Sequence, residues 1–310
     1  MANIKQLSQT KERLVGGHRL CGGCGASVAV RQIMLGAGPD TAVVVCTASG
    51  CLEVSTTALP FSSWDISFIH NAFENAAATI TGVEAAYKAL KATGKIAQDK
   101  EIKFIAFGGD GGTYDIGLQS LSGALERGHD FVYVCYDNGA YMNTGIQRSS
   151  ATPRYSWATT SEVGKALPGK PQVRKDLASI VAAHHIPYAA QASIGNWKDL
   201  VDKAEKAFNT PGPAFLNVLA PCPRGWRYTA EKTIEISKMA FRTKFWPIFE
   251  VENGVWSMKE VREKDILPLV DFLKMQGRFA HLFKPGNEHL IEQMQAEVDA
   301  YYEYVKGMCK

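Results

Sequence analysis

Two short apolar runs in this sequence each end in a polar residue that could bind a metal. Residues 102–107 and 131–136 are rich in β-branched and aromatic side chains and are bounded by glycine and polar residues, which is typical of buried parallel strands. A Gly-Asp-Gly motif at 109–111 follows the first run, and Asn138 follows the second. Because ligands bind beyond the carboxyl ends of parallel strands, we expect these residues to lie together.

The chemistry of these residues suits a metal and a diphosphate. Asp110, Asn138 and the backbone carbonyl of Ala140 would supply oxygen ligands to Mg²⁺, which keeps phosphate oxygens as co-ligands. Gly109 and Gly111 would let backbone N–H groups approach a phosphate. The alternative is an ordinary turn between a strand and a helix, because Gly-Asp-Gly alone is a weak signal. The spacing of the pair predicts a diphosphate cofactor.

Four cysteines form a second candidate site. Cys21 and Cys24 make a Cys-x-x-Cys in a glycine-rich loop, Cys51 follows a glycine, and Cys222 lies between two prolines. Thiolates from three loops could hold one [4Fe–4S] cluster, since a Cys-Pro step also occurs in iron–sulfur proteins. A structural zinc ion or a redox dithiol is the alternative, although structural zinc sites more often show two close pairs.

The remaining cysteines and the composition limit the class of protein. Cys46 and Cys135 lie within apolar runs and are expected in the core, with Cys309 a loose thiol in the tail. The total of seven cysteines is odd, and no export signal is evident, so we expect a reducing, cytoplasmic location. A net charge of +3 without a basic tract argues against nucleic acid as a partner, and no apolar run suggests a membrane span.

Alternating strands and helices must position these residues. Besides the two runs above, the pattern predicts strands over 42–46, 187–190 and 214–219, and helices over 27–35, 75–92, 116–125, 176–184 and 197–208. Such alternation indicates an α/β fold, with a parallel sheet covered by helices on both faces.

The character of the sequence changes after residue 225. We divide the chain into a domain over 1–225 and a C-terminal helical extension over 226–310, with helices at 265–275 and 288–308. The extension is expected either to pack on partner subunits or to form a layer on its own domain.

Several motifs give the chain a family resemblance. The segment 137–153 resembles the β subunit of 2-oxoacid:ferredoxin oxidoreductases, in particular the pyruvate branch, and the Gly-Asp-Gly to Asn spacing resembles thiamine-diphosphate enzymes in general. Further similar runs occur at 18–25, 50–53, 69–75 and 220–223. The resemblance therefore covers about residues 16–228.

This resemblance implies a thiamine-diphosphate enzyme subunit. Its activity would be the CoA-dependent oxidative decarboxylation of pyruvate or another small 2-oxoacid, with electrons passing through a [4Fe–4S] cluster on Cys21, Cys24, Cys51 and Cys222 to ferredoxin. The domain over 1–225 would hold thiamine diphosphate, Mg²⁺ and the cluster. A non-catalytic iron–sulfur or zinc protein with the same fold is the alternative from a different class.

Substrate and partners are also implied by the resemblance. The asparagine matching Asn143 lies near the reacting carbon, and Thr144 is expected beside it at the catalytic centre. An α subunit would supply the glutamate for the aminopyrimidine and most arginines for the substrate carboxylate, and γ and δ-type subunits or fusions would complete the complex. We therefore expect this chain alone to be inactive. Gly139 stands where pyruvate-branch chains often carry glutamate, so oxalate is an alternative substrate.

Overall fold

The computed structural model describes residues 3–309, so positions 1, 2 and 310 of the segments above lie outside the described residues. Within that range one sheet of eight strands runs through the molecule. The strands are β1 (Ala42–Ala48), β2 (Ser67–Asn71), β3 (Ile102–Gly109), β4 (Val132–Asp137), β5 (Tyr188–Ser193), β6 (Ala214–Leu219), β7 (Ile248–Glu252) and β8 (Val255–Lys259). Their order is β2-β1-β3-β4-β6-β5-β7-β8. The first six are parallel, as predicted, and β7 and β8 are antiparallel additions.

Helices connect and cover these strands. They are α1 (Ile4–Leu7), α2 (Gly25–Gly36), α3 (Cys51–Thr56), α4 (Ala76–Ala92), α5 (Leu118–Glu126), α6 (Leu177–Ala182), α7 (Trp197–Asn209), α8 (Pro223–Trp226), α9 (Thr233–Arg242), α10 (Leu269–Lys274) and α11 (Glu288–Met308). Each predicted strand and helix is present, with ends that differ by a few residues. In residues 3–309, no helix has the length and apolar composition needed to cross a bilayer.

Apolar side chains pack on both faces of the sheet, because successive residues of a strand point in opposite directions. On one face, Val30 of α2 and Leu200 of α7 pack with Val134 and its neighbours in a fully buried cluster. On the other face, Ile80 of α4 belongs to the cluster that includes Tyr133. The prediction of an α/β fold with helices on both faces is confirmed.

The segment after residue 225 packs on the same sheet. Strand β7 pairs with β5, and β8 pairs with β7. Val305 of α11 joins the core cluster on one face of the sheet. A third cluster, which includes Trp226, Trp246 and Phe272, also contains Leu219 of β6. These contacts form a layer on the chain's own sheet, and packing of this segment on partner subunits stays a prediction.

Candidate functional site

The carboxyl ends of β3 and β4 bring the predicted metal ligands together. The two strands are parallel neighbours, with Gly109 opposite Tyr136. Asp110 and Asn138 therefore follow at the same edge of the sheet. The Asn138 backbone N–H donates a hydrogen bond of 3.2 Å to Asp110 Oδ1, so the two turns are joined directly.

Three oxygen atoms converge between these turns. The side-chain amide oxygen of Asn138 lies 2.9 Å from the carbonyl oxygen of Ala140 and 2.9 Å from Asp110 Oδ1. All three are acceptors, so they repel one another unless the amide rotates to donate or a cation lies between them. Neighbouring ligand oxygens of an octahedral Mg²⁺, with bonds of about 2.1 Å, are about 3 Å apart. The donor set therefore fits Mg²⁺ in type and in these two spacings, with phosphate oxygens left to complete the coordination.

The Asp110 carboxyl group is fully buried. Burial, followed by the nearby charge of Asp137, raises the pKa of Asp110 above its usual range, whereas a hydrogen bond donated by the Ser149 hydroxyl lowers it. A divalent cation would favour the ionised form and oppose the effect of burial. In this buried position a cation would act strongly on the carboxylate.

Asp137 supports the metal turn from behind; this name denotes residues 109–111 and 138–140 together. Its Oδ2 accepts hydrogen bonds from the Tyr114 hydroxyl, at 2.6 Å, and from Arg174 Nη2, at 2.5 Å. Its Oδ1 accepts the backbone N–H of Gly139 at 3.1 Å. This buried network fixes the backbone between Asn138 and Ala140. Sequence reasoning missed Tyr114 and Arg174, because nothing in their spacing connects them to Asp137.

A one-turn π-helix, Gly111–Ile116, begins at the metal turn. A Cβ atom at Gly111 would lie 2.3 Å from the ring of Tyr141, so this close approach requires glycine. The predicted helix over 116–125 is confirmed as α5, but the π-helix before it was not predicted. Single π-helical turns are frequent at functional sites.

A pocket lies over these elements, with about 300 Å³ not filled by atoms when the open space at its mouth is counted. It is lined by Ser49, Gly50, Cys51, Phe73, Gly109, Gly111, Gly112, Tyr136, Asn138, Ala140, Tyr141, Met142, Asn143 and Thr144. A larger cavity of about 1040 Å³ by the same measure lies behind the metal turn, beside Arg174 and Trp246. We place the functional site at the smaller pocket, because the converging oxygens and the glycines are there.

The predicted catalytic residues Asn143 and Thr144 both line the smaller pocket. The Thr144 hydroxyl donates to Gln147 Oε1 at 2.5 Å, and Gln147 Nε2 donates back to the Thr144 carbonyl at 2.8 Å. Asn143 is exposed, and its side chain makes no hydrogen bond within the described part of the chain. Thr144 therefore holds the loop, while the Asn143 amide is free to contact a ligand.

The loop with Cys21 and Cys24 lies against the loop with Cys222. The Gly25 N–H donates a hydrogen bond of 3.1 Å to the Pro221 carbonyl. A Cβ atom at Gly25 would lie 2.7 Å from the Pro221 backbone nitrogen, so a larger residue would push the loops apart. Burial raises the pKa of the Cys222 thiol to about 11; a hydrogen bond from the Gly225 N–H opposes this rise, and the charge of Cys24 contributes to it.

Cys51 completes this group of four thiols. Burial raises its pKa to about 12, and the next contributions come from the charges of Cys222, Cys24 and Cys21. Cys51 is the first residue of α3, and Cys24 and Cys222 immediately precede α2 and α8. Helix N-termini carry partial positive charge and favour anionic sulfur. The fold thus gathers the four predicted cysteines from three loops.

The remaining cysteines lie elsewhere. Cys46 and Cys135 are fully buried in β1 and β4, as predicted for core residues. Cys309, at the end of α11, donates to the Val305 carbonyl through its Sγ at 3.3 Å. None of the cysteines among residues 3–309 forms a disulfide.

Tyr136 lies between the two sites and was not singled out from the sequence. It is buried, lines the pocket and packs close to Gly109. Burial raises its pKa well above the usual range, and the charge of Cys51 is the next contribution. As a residue within an apolar run, it carried no signal other than that of a core side chain.

Comparisons with known proteins agree with this geometry. Residues 48–218, more than half of the chain, match the family described as thiamine pyrophosphate enzyme, C-terminal TPP binding domain. The chain is 53% identical to pyruvate synthase subunit PorB of Thermotoga maritima, over 97% of this chain and 94% of that protein. It is 50% identical to pyruvate synthase subunit PorB of Methanocaldococcus jannaschii, over 93% and 95%.

Two further proteins place these matches in a wider group. Ketoisovalerate oxidoreductase subunit VorB of Pyrococcus abyssi is 42% identical over 97% of this chain and 94% of that protein. A solved structure of the 2-oxoglutarate:ferredoxin oxidoreductase from Magnetococcus marinus has a TM-score of 0.55 at 21% identity, covering 75% of this chain and 80% of that one, and so shares its fold. The chain belongs to the family of thiamine-diphosphate-binding β subunits of 2-oxoacid:ferredoxin oxidoreductases.

Proposed function

We propose that this chain is the β subunit of a pyruvate:ferredoxin oxidoreductase that decarboxylates pyruvate oxidatively in a CoA-dependent reaction. Support for pyruvate comes from the two pyruvate synthase subunits at 53% and 50% identity, against 42% for the ketoisovalerate subunit. The convergence of three oxygens from Asp110, Asn138 and Ala140 is the structural observation that carries the proposal.

Mg²⁺ would be held by the Asp110 carboxylate, the Asn138 amide oxygen and the Ala140 carbonyl. The diphosphate would lie against Gly109, Gly111 and the free N–H groups at the start of the π-helix. When bound, thiamine diphosphate supplies the electron sink for decarboxylation. The chain's own residues would orient it, with Asn143 directed at the substrate from the loop that Thr144 and Gln147 stabilise.

Cys21, Cys24, Cys51 and Cys222 would hold a [4Fe–4S] cluster beside this pocket. Four thiolates around one Zn²⁺ would lie about 3.8 Å apart, given Zn–S bonds of about 2.3 Å. Among residues 3–309, no three His, Cys, Asp or Glu side chains converge on a single ion in this way. A cluster places each thiolate on a separate iron and so needs wider spacing than a single ion does.

The site would be completed by partner subunits. None of the residues that line the smaller pocket is Arg, Lys, Asp or Glu, apart from the buried Asp110 beneath it. Groups that bind a carboxylate and an aminopyrimidine would therefore come from an α subunit. The γ and δ-type subunits would complete the complex, and ferredoxin would accept the electrons. Val54, Leu59 and Phe61, just beyond Cys51, expose 54%, 79% and 78% of their surface, which is typical of an interaction site.

The proposal is tested by purifying the complex anaerobically and measuring thiamine diphosphate, magnesium, iron and acid-labile sulfide. Turnover of pyruvate, oxalate and 2-oxoglutarate is then measured with a viologen acceptor, with and without CoA. We expect CoA-dependent turnover of pyruvate and none by this chain alone. Preferential turnover of oxalate without CoA would replace the proposed substrate, and zinc without thiamine diphosphate would contradict an enzymatic role.

A further inference from the structure

One side chain separates the metal turn from the Cys51 loop. Tyr136, near the end of β4, is 1% exposed. It lines the smaller pocket, which is the proposed thiamine pocket. A Cβ atom built on Gly109 would lie 3.4 Å from its ring. The ring therefore fills the space beside the residue that precedes Asp110, and forms part of the wall on that side.

The Tyr136 hydroxyl lies over the turn at residues 50–52. A Cβ atom on Gly50 would be 2.8 Å from the hydroxyl oxygen, so the absence of a side chain there makes room for it. The backbone N–H of Leu52 faces the same oxygen. The hydroxyl therefore lies beside the turn from Gly50 to Leu52, where α3 begins at Cys51.

This hydroxyl has no hydrogen-bond partner of good geometry within residues 3–309. The other buried tyrosines of the sheet region differ: the hydroxyl of Tyr114 donates to Asp137, that of Tyr188 donates to Glu250, and that of Tyr133 contacts the Thr113 hydroxyl. A buried hydroxyl without an acceptor is unfavourable, and phenylalanine would fill the same space without that cost. The hydroxyl therefore points to an acceptor that becomes available only when a nearby group of the chain changes its state, as a thiol does when it binds a metal.

We propose that Tyr136 is a positioning residue that donates a hydrogen bond to the Sγ of Cys51 when Cys51 holds the iron–sulfur cluster, while its ring forms the wall of the thiamine pocket. This inference rests on the proposed function, because it requires a cluster on Cys51. Ligation converts the Cys51 thiol to a thiolate, which is a strong acceptor. Hydrogen bonds to ligating sulfur raise the reduction potential of a cluster. Tyr136 therefore makes this cluster a better electron acceptor.

The test is an EPR-monitored redox titration of the anaerobic, intact complex. The signal of this cluster is first assigned as the one lost in Cys51→Ser. Tyr136→Phe is then compared with Tyr133→Phe, a matched control on the same strand whose hydroxyl contacts Thr113 instead. We expect Tyr136→Phe to retain iron and labile sulfide and to lower the midpoint potential, by the equivalent of about two- to tenfold in the reduction equilibrium constant. Tyr133→Phe leaves that potential unchanged.

A potential that is unchanged or higher in Tyr136→Phe overturns the inference. If Tyr136→Phe loses the cluster, 3-fluorotyrosine is placed at position 136 instead. Its hydroxyl is a stronger hydrogen-bond donor on the same ring, so the midpoint potential of the cluster must rise above that of the wild type. No rise in that protein also overturns the inference. A wild-type complex without iron and labile sulfide contradicts the proposed function itself, and so is distinguished from failure of the hydrogen bond.

Discussion

The indole N–H of Trp226 donates a hydrogen bond of 2.6 Å to the backbone carbonyl of Asn138. Trp226 is 1% exposed, and its ring packs against the Arg278 guanidinium, whose carbon lies 3.9 Å from the ring centroid. The first residue of the C-terminal segment therefore fixes the backbone of a proposed metal ligand. Through this contact the packing of residues 226–309 reaches the metal turn.

Replacing Trp226 with phenylalanine keeps the aromatic packing and removes this hydrogen bond. We expect the complex to bind Mg²⁺ and thiamine diphosphate several-fold more weakly, since one such bond contributes about 1 kcal/mol. Trp246→Phe is the matched control: its indole N–H donates to the Ala192 carbonyl at 2.8 Å and not to the metal turn, and phenylalanine keeps an aromatic ring against Arg174. Both variants should lose similar thermal stability, and calorimetric titration should show weaker cofactor binding in Trp226→Phe alone. Equal affinities would contradict the role of Trp226.

Asp110→Asn removes the carboxylate of the proposed Mg²⁺ site while keeping its size. We expect cofactor affinity to fall at least about 10- to 100-fold, the range found when groups that merely support metal ligands are changed. The thiamine diphosphate retained by the purified complex measures this directly. Glu126→Gln, an exposed carboxylate at the end of α5, removes the same charge without this effect. Full cofactor retention by Asp110→Asn would rule out its assignment as a ligand.

The four cysteines are predicted to act as one unit. Serine at any of positions 21, 24, 51 or 222 should lower the iron and acid-labile sulfide of the anaerobic complex by the content of one cluster. Thiamine diphosphate content should change little, because the metal turn is formed by β3 and β4. Cys309→Ser at the end of α11 is the control and should retain every iron. A variant of one of the four that keeps its full iron content would remove that cysteine from the ligand set.

Lys170 gives the fold a pH dependence with a definite sign. Its ammonium group is buried and donates to the carbonyls of Ser150, Thr152 and Val173 at 3.3, 2.6 and 3.3 Å. Burial, and then the charges of Arg148 and Arg174, lower its pKa to about 7. In the unfolded chain this lysine has its ordinary pKa of about 10.4, so between pH 7 and that pKa the unfolded chain binds more protons than the folded one. The contribution of Lys170 to the free energy of unfolding therefore rises with pH across that range.

Thermal unfolding of the complex between pH 7 and 9 tests this linkage. Relative to Lys170→Met, the wild type should gain in melting temperature as the pH rises. Lys165→Met, which removes an exposed lysine of the same segment, should follow the pH dependence of the wild type. Parallel curves for the wild type and Lys170→Met would show that Lys170 stays charged throughout.

The sequence predicted the elements around the metal turn because their signals are local. The run over 102–107 and the residues Asp110 and Asn138 can be read within a few positions, and their meeting follows from the rule for parallel neighbours. The glycine and proline neighbours of the four cysteines made them a candidate set. The choice of a cluster over zinc needed the family resemblance, because nothing local shows that Cys51 and Cys222 approach Cys24.

The missed features depend on partners far apart in the chain. Strands β7 and β8 lie at the sheet edge in a segment whose aromatic residues gave no clear alternation. The pairing of Arg174 with Asp137 and the contact of Trp226 with Asn138 join residues 37 and 88 positions apart. Tyr136 resembled any core residue, because its distinguishing property is the lack of a partner in three dimensions.

The contact between Gly25 and Pro221 has a consequence for the whole chain. It joins the start of the first long helix to the end of β6, so a metal cluster on Cys24 and Cys222 would be a covalent cross-link closing a loop of nearly 200 residues. Such a cross-link restricts the unfolded chain far more than the native one. Oxidative loss of the proposed cluster would then lower resistance to unfolding along with electron transfer.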